Sequence, residues 1–165
     1  MTLQELLRSQ ISQKPKGWQL PHTLIALDPG YSTGYSIFLD GKHYLNGVID
    51  WQIPVEGFYT MTNMLKHFAP DVIVCEDYRL YASKAKAQTG SQIDTVRIIG
   101  AVELLCNQNN IRFYKMMPST AKGFVTDEKL RSWGLYKKVN PHSRDSLRIA
   151  IHWMLFNKDY CLLDN

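Results

Sequence analysis

Two short apolar runs that each end in a carboxylate constrain the fold of this chain more than any other feature. Residues 24–27 precede Asp28, and residues 72–75 precede Glu76. A short continuous apolar run is typical of a strand that is buried on both faces of a sheet. A carboxylate at the end of such a strand is costly unless it is paired or bound to a metal ion. We therefore predict two central strands whose terminal acids can converge.

Further strands and helices are predicted around these two strands. Asp40-Gly41 is typical of a hairpin turn, and apolar residues at helical spacing mark the helices. The order of the elements predicts an α/β fold, in which a three-stranded antiparallel meander plus parallel strands form a mixed sheet flanked by helices. The predicted strands are 23–27, 35–39, 43–49, 72–76 and 111–116, and the predicted helices are 55–68, 93–105, short ones within 118–133, and one from about Pro141.

Length, composition and charge limit the class of protein. The 165 residues suit one domain, and we expect residues 1–22 to be an N-terminal appendage to a domain at 23–165. No apolar run approaches the ~20 residues of a membrane-spanning helix, and the N-terminus lacks a signal-peptide pattern. Three widely spaced cysteines fit reduced thiols and offer no zinc site. We expect a cytoplasmic protein without a membrane partner, and the net charge of +4 permits a nucleic-acid partner without establishing one.

Four residues from three distant segments form a candidate metal site: Asp28, Glu76, His142 and Asp145. The last two are three residues apart, on one face of a predicted helix. Each segment alone has a simpler explanation: Asp28 could cap a turn, and Glu76 could follow its strand into solvent. His142 could neighbour a helix cap, and Asp145 could be a first-turn acid stabilised by the helix dipole. Unpaired acids repel one another and a divalent cation removes that conflict, so the combination favours a metal-dependent phosphoryl-transfer enzyme.

Aromatic and basic side chains alternate within residues 77–92. Aromatic rings can stack on unpaired bases at a DNA branch, and lysines can neutralise phosphates. A loop whose rings pack into the core is the alternative. The candidates for DNA contact are Tyr78, Arg79, Tyr81, Lys84 and Lys86. Lys122, further along, could neutralise phosphate charge in a transition state, or it could be an ordinary solvated helix lysine.

Three segments together resemble the RuvC-like Holliday-junction resolvases of the RNase H-like superfamily. They are residues 24–34, 72–76 and 142–150, and the resemblance spans roughly residues 23–156. It implies an RNase H-like fold and an active site that holds two divalent ions, Mg²⁺ or Mn²⁺. Asp28, Glu76 and Asp145 match the family's acids, whereas His142 stands where many members have aspartate and some have histidine. Lys122 matches the family's basic segment only loosely.

The resemblance also implies an activity, a substrate and an assembly. We expect a homodimeric endonuclease that hydrolyses phosphodiesters at four-way DNA junctions, with a role in DNA recombination and repair. The small size and the N-terminal segment are similar to those of phage or mobile-element members. Two alternatives stay open: a non-catalytic module that binds branched DNA, and a nuclease of the same fold that acts on flaps, forks or RNA–DNA hybrids.

Overall fold

The computed structural model describes residues 1–78, 90–117, 119–138 and 140–160, and for residues 90–93 it describes the backbone alone. In this described part, the strands are β1 (Thr23–Asp28), β2 (Ser32–Leu39), β3 (Lys42–Asp50), β4 (Val72–Glu76) and β5 (Arg112–Met116). The helices are α1 (Leu3–Ile11), α2 (Pro54–Phe68), α3 (Gly90–Gln108), α4 (Thr120–Phe124), α5 (Asp127–Ser132) and α6 (Pro141–Phe156).

The five strands form one mixed sheet in the order β3-β2-β1-β4-β5. Strands β1, β2 and β3 are an antiparallel meander, while β4 runs parallel to β1 and β5 runs parallel to β4. The turn between β2 and β3 contains Asp40 and Gly41, both with positive φ (49° and 73°), as a tight hairpin requires. The predicted fold class, a meander plus parallel strands flanked by helices, is confirmed.

The two central strands are buried on both faces, as their apolar runs predict. All six residues of β1 are buried, and so are the first four residues of β4. Because side chains alternate along a strand, Leu24 and Ala26 pack with α6, while Ile25 and Leu27 pack with α2 and α3. The sheet therefore lies between two layers of helices, and the even-numbered positions of β1 point toward α6.

The first turn of α6 packs directly on β2. A Cβ built at Gly34 would lie 2.0 Å from the carbonyl oxygen of His142, so only glycine permits this approach. The Ser36 hydroxyl donates to the carbonyl oxygen of Ser146 at 2.9 Å. The side chain of Asn140 accepts from the backbone N–H of His142 at 2.9 Å and caps the helix. These contacts fix the start of α6 against the sheet.

The N-terminal segment also contacts the core. Helix α1 begins with a capping box formed by Thr2 and Glu5. Its buried side chains, Leu3 and Leu7, belong to the same core cluster as α6. The predicted domain boundary after residue 22 stays a prediction. In the described part of the chain, no helix is long and apolar enough to cross a membrane.

Candidate active site

Asp28 and Glu76 end neighbouring parallel strands on the same face of the sheet. Leu27 of β1 pairs with Cys75 of β4, so the next residue on each strand is one of the two acids. Paired residues of a sheet point to the same side, and here that side is the one covered by α6. Asp28 is only 7% exposed. The strand ends thus bring two carboxylates together in a largely buried position.

Helix α6 adds His142 and Asp145 to these two acids. The Nδ1 atom of His142 lies 2.7 Å from Oδ2 of Asp28. Asp145 lies close enough to Asp28 and Glu76 for its charge to act on both. The four predicted ligands, from three segments of the sequence, therefore come together at one end of the sheet.

Burial, together with a smaller contribution from nearby carboxylates, makes ionisation of Asp28 and Glu76 costly. Burial, followed by the charge of Asp28, raises the pKa of Glu76 from its ordinary value of 4.5 to about 7. Burial also raises the pKa of Asp28, and the hydrogen bond with His142 offsets only part of that effect. The charged forms of Asp28 and Glu76 are thus disfavoured chiefly by burial, and a bound cation would stabilise them.

Two cationic side chains contact Asp145. The Nζ atom of Lys122, on α4, lies 2.8 Å from its Oδ2. Burial lowers the pKa of Lys122, but the hydrogen bond to Asp145 and the surrounding carboxylates outweigh burial and raise it overall. Arg148 donates to the other oxygen, Oδ1. Lys122 is among the residues predicted from the sequence and Arg148 is not, although an Asp and an Arg three residues apart on a helix are a recognisable pair.

No protein-family model and no curated protein sequence matches the chain. Its fold is similar to that of Thermus thermophilus RuvC in complex with a Holliday junction substrate, with a TM-score of 0.64 and 19% identity over 81% of this chain and 92% of that chain. It is also similar to Ydc2, the yeast mitochondrial Holliday junction resolvase, with a TM-score of 0.55 and 17% identity over 92% of this chain and 84% of that chain. The chain has a RuvC-like fold. The predicted resemblance is thereby confirmed at the level of the fold.

The donor set in this RuvC-like fold suits hard divalent cations. Carboxylate oxygens favour Mg²⁺ and Mn²⁺, and one imidazole tilts the preference toward Mn²⁺. Within the described residues, however, no three side chains of His, Cys, Asp or Glu are grouped closely enough to hold one ion. Asp28 contacts His142, and Asp145 contacts Lys122 and Arg148. The donor types and their burial suit such ions, whereas in this arrangement Asp28 and Asp145 contact protein partners instead.

The predicted DNA contacts of this RuvC-like fold lie mostly beyond the described part of the chain. Arg79, Tyr81, Lys84 and Lys86 all fall outside the described residues. Tyr78 is half-buried and packs against the core layer formed by α2 and α3. That packing fits the alternative in which an aromatic ring of this segment is a core residue. A contact between Tyr78 and DNA stays a prediction.

Proposed function

We propose that this chain is a metal-dependent, structure-selective endodeoxyribonuclease that hydrolyses phosphodiesters at four-way DNA junctions. The observation that carries the proposal is the placement of Asp28, Glu76, His142 and Asp145 at one end of the sheet, where Asp28 is almost fully buried and contacts His142. A fold alone does not imply a function, whereas a buried carboxylate cluster with raised pKa values is costly for stability and typical of catalytic sites. The similarity to RuvC and Ydc2 supports the same conclusion.

The four clustered residues would hold two divalent ions, Mg²⁺ or Mn²⁺. When bound, such ions supply an activated water and Lewis-acid charge at the scissile phosphate. Asp28, Glu76 and Asp145 would bind and orient the ions through oxygen atoms, and His142 would donate a neutral ring nitrogen. Lys122, whose side chain is half exposed, would contact the phosphate and neutralise charge that develops during cleavage.

The proposed substrate is branched DNA, and the proposed assembly is a homodimer. The solved RuvC structure contains a Holliday junction, and Ydc2 is named a Holliday junction resolvase. A dimer with two-fold symmetry would place one site on each of two opposed strands of a junction with the same symmetry. In this proposal Tyr78, Arg79 and Tyr81 contact bases at the branch, and Lys84 and Lys86 contact phosphates.

A second candidate function is a non-catalytic module that binds branched DNA. The observation that favours it is that, in the described part of the chain, no three candidate ligands converge on one point. Such a module would bind a junction without cutting it in any metal.

One set of digestions tests both functions. A four-way junction, a flap, a fork, an RNA–DNA hybrid and a linear duplex are incubated side by side with the protein in Mg²⁺, in Mn²⁺ and in EDTA. We expect metal-dependent cleavage of the junction, with the linear duplex left intact and Asp28→Asn as the inactive control. Preferred cleavage of another substrate would support the proposed nuclease activity but contradict the four-way junction as its substrate. Tight junction binding without cleavage in either metal would favour the binding module.

A further inference from the structure

Arg148 is a nearly buried cation in direct contact with one of the proposed metal ligands. It lies on α6 one turn after Asp145, and its side chain is 11% exposed. Its Nε donates to the carbonyl oxygen of Val125 at 3.0 Å. Its two terminal nitrogens donate to Oδ1 of Asp145 and to Oδ1 of Asp127. Every nitrogen of the guanidinium group therefore has an acceptor, and the group has a single well-defined position.

The two oxygens of Asp145 differ in how firmly their partners are held. Oδ1 accepts from Arg148, whose position is fixed by the contacts above. Oδ2 lies 2.8 Å from Nζ of Lys122, a side chain that is 50% exposed and has one flexible stem. An incoming cation or phosphate can therefore displace Lys122 into solvent, whereas Arg148 has no such freedom. The carboxylate is held through one oxygen and can exchange partners at the other.

The support behind Arg148 comes from the start of α5. Asp127 lies in the first turn of that helix, where its charge is favourable, and Thr126 caps the helix by accepting from Lys129 N–H. Asp127 also forms an ion pair with Nε of Arg144 at 3.6 Å. Arg148 thus connects α6 to the segment that contains Val125 and Asp127. Because that segment holds the guanidinium group in place, Arg148 in turn restricts the position of Asp145.

We propose that Arg148 is a positioning residue, which holds Asp145 by Oδ1 so that Oδ2 is presented to the metal ion, with Asp127 as its support. This inference rests on the proposed metal site. Two effects of Arg148 on metal affinity oppose each other, because its charge repels a cation while its contacts fix the ligand. Asp127 offsets part of this charge, because it also forms an ion pair with Arg148. The loss of positioning should therefore dominate when Arg148 is replaced.

Binding of Mn²⁺ alone, followed by the electron paramagnetic resonance signal of the free ion, tests the role without any DNA. Replacing a residue that orients a metal ligand typically weakens metal binding by about 10–100-fold, and we expect this for Arg148→Gln. Arg148→Lys keeps the charge but loses the planar fork, so it should resemble Arg148→Gln rather than the wild type. Arg131→Gln is the matched control, because that arginine is 54% exposed on α5 and contacts none of the four proposed ligands.

Two further variants separate positioning from a general effect on folding. Asp127→Asn removes the support of Arg148 and leaves the metal ligands unchanged, so it should give a smaller loss of Mn²⁺ affinity even if Arg148→Gln folds poorly. If Arg148 acts through Asp145, the double variant Arg148→Gln/Asp145→Asn should bind Mn²⁺ no more weakly than Asp145→Asn. Additive losses would place the effect of Arg148 elsewhere.

The remaining outcomes distinguish this inference from the proposed function. A wild-type protein that binds no Mn²⁺ would overturn the metal site and the role of Arg148 with it. Wild-type binding combined with unchanged affinity in folded Arg148→Gln and Asp127→Asn would overturn the positioning role alone. Tighter binding by Arg148→Gln would also overturn it, because the repulsive charge would then be the larger effect.

Discussion

Replacing Glu76 by glutamine should stabilise the metal-free protein while it removes the proposed activity. Burial and the charge of Asp28 raise the pKa of Glu76 from 4.5 to about 7. One pKa unit corresponds to ~1.4 kcal/mol, so the ionised side chain opposes folding by at most about 3.5 kcal/mol. Because the side chain is partly exposed, solvent screening reduces this to about 1–3 kcal/mol. Glutamine has the same shape and no charge, so the variant avoids this cost.

The pH dependence of stability follows from the upward shift in the pKa of Glu76. The folded state binds the Glu76 proton more tightly than the unfolded state does. The resulting stability is fully present below pH 4.5 and is lost as the pH rises through about 7. At pH 8 in EDTA, Glu76→Gln should therefore melt about 3–9 °C above the wild type, and most of this difference should disappear at pH 5.

The assay is thermal and urea denaturation at both pH values, with Asp77→Asn as the control. Asp77 is the adjacent carboxylate and is not a proposed ligand, so its replacement should not reproduce the gain. Adding Mg²⁺ should stabilise the wild type more than Glu76→Gln, because the ion binds the folded site and compensates its charge. A glutamine variant that is no more stable than the wild type at pH 8 would refute the view that Glu76 is held in an unfavourable charged cluster.

Three other substitutions test the site in different ways. Asp28→Asn should abolish cleavage and leave junction binding largely intact in a gel-shift assay, since the binding surface is proposed to lie elsewhere. His142→Asp should retain cleavage and shift the metal preference from Mn²⁺ toward Mg²⁺, whereas equal cleavage by His142→Ala and wild type in both metals would make the histidine structural. Gly34→Ala should lower the free energy of unfolding by about 1–3 kcal/mol and slow cleavage, because its methyl group would overlap the His142 carbonyl. Gly100→Ala, with nothing within 4 Å of the added Cβ, is the control and should be neutral or stabilising in denaturation.

The sequence predicted the sheet best where the strands are central. Strand β4 has the predicted bounds, because its first four residues are buried on both faces of the sheet and therefore form a continuous apolar run. Strand β2 instead begins at Ser32, three residues before the predicted start at Tyr35. Ser32, Thr33 and Gly34 have the composition of a turn, but pairing with β3, and for Gly34 also with β1, holds them extended. Contacts between strands outweigh local preference there, and a single sequence does not contain those contacts.

The candidate site shows the same division between local and tertiary information. The acids at the strand ends and the spacing of His142 and Asp145 are local patterns, and the sequence predicted that these residues could meet. Arg148 and Asp127 look like ordinary solvated helix charges in the sequence. Their proposed role depends on the tertiary structure, which places Asp127 within reach of α6 so that one guanidinium group lies between two carboxylates.

The register between β1 and β4 links the prediction of the sheet to the prediction of the candidate site. Asp28 and Glu76 face α6 together because Leu27 pairs with Cys75, so residues of the same parity lie side by side on β1 and β4. A slip of one residue would move one of the acids to the face covered by α2 and α3. It would also turn the apolar side chains of that strand away from the layers that they fill, so the core itself opposes the slip. The burial that specifies the register therefore also brings the two carboxylates together.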